Sequence, residues 1–393
     1  MPISMLFQPA PMGRLTIPNR LVRTATIECI ARDGRHVPEA YVSLYRRLAQ
    51  GGAGLLIAGN YFVHWAGQAQ PGLVADSDEV IPELEKVTRA VRAEGGLLFA
   101  QLNHGGRQAD PELIGTTPIA PSAVRDKVTL IKPRAMTEAE VESTIEAYVA
   151  AARRVQAAGF AGVQINGAHG YLVNQFLSPY TNRRRDRFGG SLANRARFLM
   201  EIFRRIRAAV GDDFPVAVKL NSHDNISGGV TVEQCVAVSV MLDALGVDAI
   251  EVSGGIVESG LSTTRGGVPM DLIMEQRGFL ERMAVRLFER KLRRQCEFAE
   301  GYHLEATAQV KARVKAPVIA VGGIRSRAVM EATLREGHAD FVGMCRPFIL
   351  QPNLAARLRD EPEFEVACTN CNRCTLKTVV HHEPLQCRRV RGA

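Results

Sequence analysis

No stretch of about twenty apolar residues occurs in this sequence, so no membrane-spanning helix is expected. Residues 1–13 carry neither a long apolar run nor a small-residue cleavage site, which argues against a secretory signal. Without one, the eight cysteines read as reduced thiols of a cytoplasmic protein rather than as disulfides. No G-x-G-x-x-G opens the first helical stretch, so a dinucleotide-binding open sheet is disfavoured. Basic residues are in excess, with a net charge of +8, and arginines bunch at Arg183–Arg185 and between Arg282 and Arg294. They lack interleaved aromatics and any nucleic-acid-binding motif, so nucleic acid is not an expected partner. Solvated faces and loop ion pairs explain them, while an anionic cofactor or substrate would benefit from the field.

What is present is ordinary globular composition, 46% hydrophobic and 23% charged over 393 residues, ample for a sizeable core. Short apolar, β-branched runs alternate with longer helical patterns. The expected strands are Leu21–Ile27, Gly54–Gly59, Leu97–Asn103, Gly162–Ala168, Pro215–Asn221, Ala249–Gly255, Pro317–Gly323 and Phe341–Arg346. Runs without polar alternation suit a parallel sheet covered on both faces. Expected helices include Thr137–Ala158, Ser191–Val210, Thr231–Leu245 and Ser326–Glu336. The segments AAGFAGVQI, ALGVDAIEV and REGHADFVGM repeat one grammar, in which a helix ends, a glycine caps it and a strand begins. Units of this kind predict a (β/α)8 barrel over residues 1–350, with a doubly wound open sheet as the runner-up. Residues 351–393 are expected to form a cysteine-rich tail. Two long connections, Asn103 to Met136 and Gly254 to Lys311, are candidates for site-building loops.

Barrels place their chemistry at strand C-terminal ends. Here those ends supply Ala25, Thr26 and Ile27, then Gln101 and His104, then Asn166, His169 and Tyr171. Lys219 and Asn221 follow, then Gly322 and Gly323, then Cys345 and Arg346. Gly322, Gly323 and Arg346 outline a phosphate site, although a glycine pair also simply turns a chain. Asn166 and His169 can both donate to one carbonyl oxygen, and the Tyr171 phenol can deliver a proton. A lone buried histidine is more often a core residue; three polar groups at one mouth favour chemistry.

Cys368, Cys371, Cys374 and Cys387 stand in the spacing C-x2-C-x2-C-x12-C. Four thiolates this close suit an iron–sulfur cluster or zinc, with free thiols as the bland alternative. His381 and His382 lie in the same loop as further candidate ligands. Cys29, Cys235 and Cys296 read as ordinary cysteines.

The run HGYLVNQFLSPYTNRRRDRFGGSLANRARF closely resembles the signature of the old yellow enzyme family of FMN-dependent ene-reductases. So do PNRLVRTAT, FAQLNHGGRQA, PVAVKLN, AVGGIRS and VGMCRPF, and the likeness runs from about Met5 to Cys387. The resemblance implies a (β/α)8 barrel holding FMN and using NAD(P)H as reductant. It implies that Gln101 meets the flavin pyrimidine and that Lys219 replaces an arginine beside it. Ala25 and Thr26 would lie against the isoalloxazine, and the backbones of Gly323, Cys345 and Arg346 would cradle the phosphate. Asn166 and His169 would grip a substrate carbonyl, and Tyr171 would donate the proton.

Two departures stand out. Asn166 occupies a position usually held by His, and Asn cannot become cationic. Ile27 replaces a Thr or Cys that tunes the flavin, and an apolar residue there is expected to lower the flavin potential. The cysteine spacing resembles the 4Fe–4S motif of the trimethylamine dehydrogenase and 2,4-dienoyl-CoA reductase branch. Those enzymes continue into a dinucleotide-binding half, which this sequence, ending at Ala393, is not expected to have. The expected activity is reduction of an α,β-unsaturated carbonyl compound or thioester, a small-molecule substrate. The rivals are an amine or C–H dehydrogenase that passes electrons through the cluster to a separate carrier, and a flavin electron-transfer or sensor subunit. Many members of the family associate, so a homo-oligomer is expected.

Overall fold

The computed structural model describes residues 4–275 and 278–389. Eight parallel strands close into one barrel. In chain order they are β1 (Leu21–Arg23), β2 (Leu55–Phe62), β3 (Leu98–Asn103), β4 (Gly162–Gly167), β5 (Val216–Asn221), β6 (Ala249–Ser253), β7 (Val318–Val321) and β8 (Phe341–Met344). The outer layer is α1 (Glu39–Gln50), α2 (Val80–Ala93), α3 (Glu138–Ala157), α4 (Leu192–Val210), α5 (Val232–Asp243), α6 (Leu304–Lys311), α7 (Arg327–Arg335) and α8 (Leu354–Asp360). The expected (β/α)8 fold is the observed one. Helix starts follow local capping chemistry. Thr137 and Glu140 close a capping box on α3, and the hydroxyls of Ser191, Thr231 and Ser326 cap α4, α5 and α7.

The main core lies between strands and helices, and α8 joins it through buried Leu354, Ala355 and Leu358. A second cluster fills the barrel itself. Val22, Leu55, Ile57, Phe99, Ala217, Ala249, Ile319 and Phe341 point inward, and the hairpin Ala10–Met12 with Leu15–Ile17 adds Ala10, Met12 and Ile17 to them. Gly162 makes room for this filling, because a Cβ there would sit 2.5 Å from the Phe99 ring.

Side chains on one face of a strand recur every second residue. Phe99, Gln101 and Asn103 therefore share a face. So do Gly162, Gln164 and Asn166; Ala217, Lys219 and Asn221; and Ala249, Glu251 and Ser253. Each series climbs from an apolar floor to a polar mouth.

Strands β6, β7 and β8 each end two residues earlier than expected, and two others depart further. β1 leaves the ladder after Arg23, four residues earlier than predicted, so Thr24 to Ile27 run across the mouth. β2 continues to Phe62, with a register shift between Ala58 and Tyr61 at Gly59, which has φ 119°. Such a bulge re-aims side chains, and here Asn60 lines the mouth. The cysteine segment folds back over the barrel. Gly267 N donates to Asn370 O (2.9 Å), Asn372 Nδ2 to Thr264 O (2.6 Å), and Leu385 N to Glu28 O (2.8 Å).

Candidate active site

A cavity of about 410 Å³ opens at the C-terminal ends of the strands. Asn166, His169, Tyr171, Ala25, Thr26, Gln101, Lys219, Gly322, Gly323, Cys345 and Arg346 all line it, as does Ile27. His104 does not: its Nδ1 accepts from Gly106 N (3.0 Å), and the ring lies in a neighbouring pocket with His64 and Thr144.

The turn after β4 is held from several sides. His169 adopts φ 61°, a left-handed conformation that histidine tolerates better than most residues. Its N–H donates to Asn221 Oδ1 (3.0 Å), and Gln108 Nε2 donates to the carbonyls of His169 and Gly170. Behind the turn, the buried carboxylate of Asp224 accepts from Asn221, Asn174, Ser178 and Val230 N. The His169 ring shares a 2.8 Å hydrogen bond between Nε2 and Ser253 Oγ. Burial, followed by the charge of Lys219, pushes its pKa down to about 3, so the imidazole is neutral at physiological pH. Asn166 Oδ1 accepts from Ala168 N (3.2 Å), and its Nδ2 donates weakly to Asn60 (3.4 Å). Asn166 thus lines the cavity with its amide held between these two partners.

Tyr171 is buried, and its phenol is pushed up to about 12 by that burial. Its oxygen accepts from Gln70 Nε2 (3.3 Å), and Asn60 is a second partner. An acceptor role toward Gln70 leaves the phenol proton for another group.

Below them runs a closed polar chain. Gln101 Nε2 donates to Gln164 Oε1 (2.7 Å), and Gln164 Nε2 donates to Glu251 Oε2 (2.8 Å). Lys219 Nζ lies 3.0 Å from Glu251 Oε1, with both side chains buried. Lys219 is thus a paired cation. Gln164, Glu251 and Ser253 lie one or two strand positions from the candidate residues, where two-residue spacing from the strand ends points. Nothing in the sequence marked Asn60, Gln70 or His303.

The far end of the cavity is built on Gly322 (φ 133°) and Gly323 (φ 72°). A Cβ on Gly322 would sit 2.8 Å from the His303 ring, and one on Gly323 would sit 2.9 Å from Tyr302. Only glycine fits both the backbone and the crowd. Arg346 is buried beside them, and its Nη1 donates to Arg265 O (3.0 Å) and Asn372 Oδ1 (2.6 Å). Backbone left bare by glycine, a buried guanidinium, a glutamine amide and a lysine together fit the phosphate and the pyrimidine of FMN.

Among the described residues, no three of His, Cys, Asp or Glu converge as a single-ion metal site. Neither a cluster nor zinc on the four tail cysteines is therefore shown by a preformed ligand set among the described residues. The tail thiols do share one neighbourhood: burial raises the Cys368 thiol, with Cys371 and Cys387 adding to the effect. Burial pushes Cys374 up to about 12, and Cys345 and Cys368 contribute. The main charged neighbours of His382 are Asp110, Arg32 and Glu112, with His381 beside it. Cys29, Cys235 and Cys296 are also buried, and Cys29 touches the segment, its Sγ 3.5 Å from Thr378 O.

Fold and mouth together define a closed parallel barrel with a polar cavity at the C-terminal ends of its strands. The chain belongs to the NADH:flavin oxidoreductase / NADH oxidase family, the old yellow enzyme family, whose model matches residues 5–280 and 271–364. An NADH oxidase from Thermoanaerobacter brockii is 33% identical over 371 residues, 93% of this chain and 52% of the relative. A solved structure of 2-naphthoyl-CoA reductase in complex with 2-naphthoyl-CoA superposes with a TM-score of 0.85 at 29% identity. That match covers 98% of this chain and 56% of the other. Histamine dehydrogenase from Rhizobium sp. 4-9 superposes with a TM-score of 0.80 at 25% identity, covering 98% of this chain and 52% of the other. The chain thus spans about half the length of these relatives. The family is one of NADH:flavin oxidoreductases and supports FMN and NAD(P)H as cofactors. Among the described residues no helix is long and apolar enough to cross a membrane.

Proposed function

We propose that this chain reduces the activated C=C bond of an α,β-unsaturated carbonyl or thioester compound with electrons from NAD(P)H. The observation that carries this reading is the turn after β4, which brings Asn166, His169 and Tyr171 to one wall of the cavity above Gln101 and Lys219. FMN, when bound, supplies the hydride chemistry. The chain's own share is positioning and electrostatics. The Asn166 amide and the neutral His169 imidazole orient and polarise a carbonyl oxygen, as fixed donors do for developing negative charge. Tyr171, protonated throughout the physiological range, gives its proton to the α-carbon. The apolar rim of Val128, Val257, Ile273, Leu292, Val379 and Val380 suits a hydrocarbon body and limits water. The likeness to 2-naphthoyl-CoA reductase supports a conjugated carbonyl or thioester. Tyr171→Phe tests the assignment: alkene reduction should slow while flavin reduction by NAD(P)H is retained, and equal loss in both half-reactions would remove Tyr171 from this role.

A second reading rests on the cysteine segment. Thr375, Leu376 and Val379 line the cavity, and Cys374 lies within electrostatic reach of both Cys345 and Cys368. A 4Fe–4S cluster on Cys368, Cys371, Cys374 and Cys387 would therefore adjoin the flavin end and pass electrons to a separate carrier. The likeness to histamine dehydrogenase favours amine oxidation in that case. Anaerobic purification with an iron and zinc assay separates the readings. About four irons per chain supports the cluster, and an alkylamine, rather than an enone, exchanging electrons with the flavin supports the dehydrogenase.

A further inference from the structure

His303 sits outside every role assigned above, yet the mouth is shaped around it. It occupies the N-cap position of α6, where its carbonyl accepts from Thr307 N (2.9 Å) and Thr307 Oγ1 (2.7 Å). Its ring wedges between the ends of β6 and β7. A Cβ on Gly254 would lie 2.6 Å from its Cε1, and one on Gly322 would lie 2.8 Å from its Cδ2. Two neighbouring strand ends thus lack side chains where this imidazole fits.

The ring is 2% exposed, it lines the cavity, and neither nitrogen has a hydrogen-bond partner among the described residues. A buried polar atom without a partner forfeits the hydrogen bonds it had in water, so packing alone favours an apolar side chain at this place. The surroundings indicate what the nitrogens would meet. Tyr302 packs edge-on at 4.6 Å and His223 at 5.5 Å between ring centroids. The groups that act on its protonation, after burial, are His223, Arg265 and His169. No carboxylate is among them, and Arg346 adds a second guanidinium beside Tyr302. Arg265 Nε is likewise buried without a partner. Two arginines, an unpaired imidazole and a glycine backbone make a corner that suits an anion.

We infer that His303 is a ligand to the phosphate of the flavin nucleotide, donating a ring N–H to a phosphate oxygen beside the Gly322–Gly323 turn. This rests on the flavin reading above. Riboflavin, which lacks the phosphate, separates this role from a packing role.

The full chain, freed of flavin, is titrated with FMN and with riboflavin while flavin fluorescence is followed. His303→Ala should weaken FMN binding about 10- to 100-fold, the scale of one lost hydrogen bond to a charged group, and change riboflavin binding little. His303→Gln, which keeps an N–H donor, should recover part of the FMN affinity, and it remains informative if the alanine variant folds poorly. Unchanged FMN binding in both variants would overturn the inference. So would an equal loss for FMN and riboflavin, which marks a packing role. Failure of the unaltered chain to bind either flavin would instead sink the flavin reading itself.

Discussion

The two sides of the barrel mouth differ in how they hold their buried polar groups. On the β3–β6 side most of the groups that line the cavity pair with one another, while Asn103, at the end of β3, leaves both amide atoms without a partner among the described residues. Gln101, Gln164, Glu251 and Lys219 form a closed chain, and Asp224 gathers Asn174, Ser178 and Asn221. On the β6–β8 side, His303 Nδ1 and Nε2, Thr264 Oγ1, Arg265 Nε and Asn370 Nδ2 are buried without partners among the described residues. A paired network is rigid before anything binds, which suits groups that must meet a reacting atom at fixed geometry. An unpaired, cationic corner gains its hydrogen bonds only with a ligand, so its contribution to stability comes through binding.

The largest expected effect lies on the paired side. Tyr171→Phe removes a general acid while leaving the shape of the wall intact. The oxidative half-reaction with an enone should fall about 10²- to 10⁴-fold, as followed by stopped-flow absorbance of the flavin. A rate within a few-fold of the unaltered protein would show that proton delivery comes from elsewhere.

Next in size is a test of the unpaired side. FMN at a hundred times its Kd should stabilise the flavin-free chain by about 2.7 kcal/mol through mass action. Riboflavin at the same concentration should stabilise it far less, because it leaves the cationic corner unpaired. Thermal melts with each ligand decide this, and equal shifts would erase the contrast between the two sides.

Much of this contrast was legible in the sequence, for specific reasons. Strands covered on both faces read as unbroken apolar runs, and barrel strands present chemistry at their C-terminal ends, so Gln101, Asn166, Lys219 and Arg346 could be named from position. Residues that reach the mouth by irregular routes could not. Asn60 is aimed by a bulge at Gly59, Gln70 meets Tyr171 across 101 positions, and His303 arrives at a helix N-cap after a long insertion. The long signature after β4 also misleads by its length, since much of it holds the loop rather than the substrate. Asn182 Nδ2 donates to the carbonyls of Phe176 and Phe188 (both 2.7 Å), and Arg195 Nε donates to Leu177 O (2.8 Å).

Acid should expose a feature that both sides share. Burial holds His104 and His169 at pKa values of about 3, and His303 well below its usual range. Their folded-state pKa values are below those of the unfolded chain. The stability they contribute is therefore complete above about pH 6.5 and is lost as pH falls toward 3. Between pH 6.5 and 5.5 His104 and His169 should each account for about 1 kcal/mol of lost stability. Urea denaturation midpoints across that range test this. His104→Gln lies outside the cavity and should flatten the slope without touching flavin binding; an unchanged slope would show that His104 titrates normally.

The smallest effects concern the flavin potential, and they ask whether the paired side is tuned as well as rigid. Glu251 shares the charge of Lys219, so it offsets the cation expected beside the flavin pyrimidine. Glu251→Gln frees that charge and should raise the midpoint potential of bound FMN by roughly 30 mV, equivalent to ~1.4 kcal/mol for a two-electron couple. Ile27→Thr, which restores a hydroxyl to the wall of the cavity, should raise it by less. Both are read by anaerobic redox titration with dye equilibration. A fall in potential for Glu251→Gln would mean that the carboxylate acts by holding Lys219 in place, so that its loss lets the cation swing away. An unchanged midpoint for Ile27→Thr would remove that residue from the tuning altogether. A rise in both would place electrostatic control of the flavin in the same closed chain that fixes its geometry.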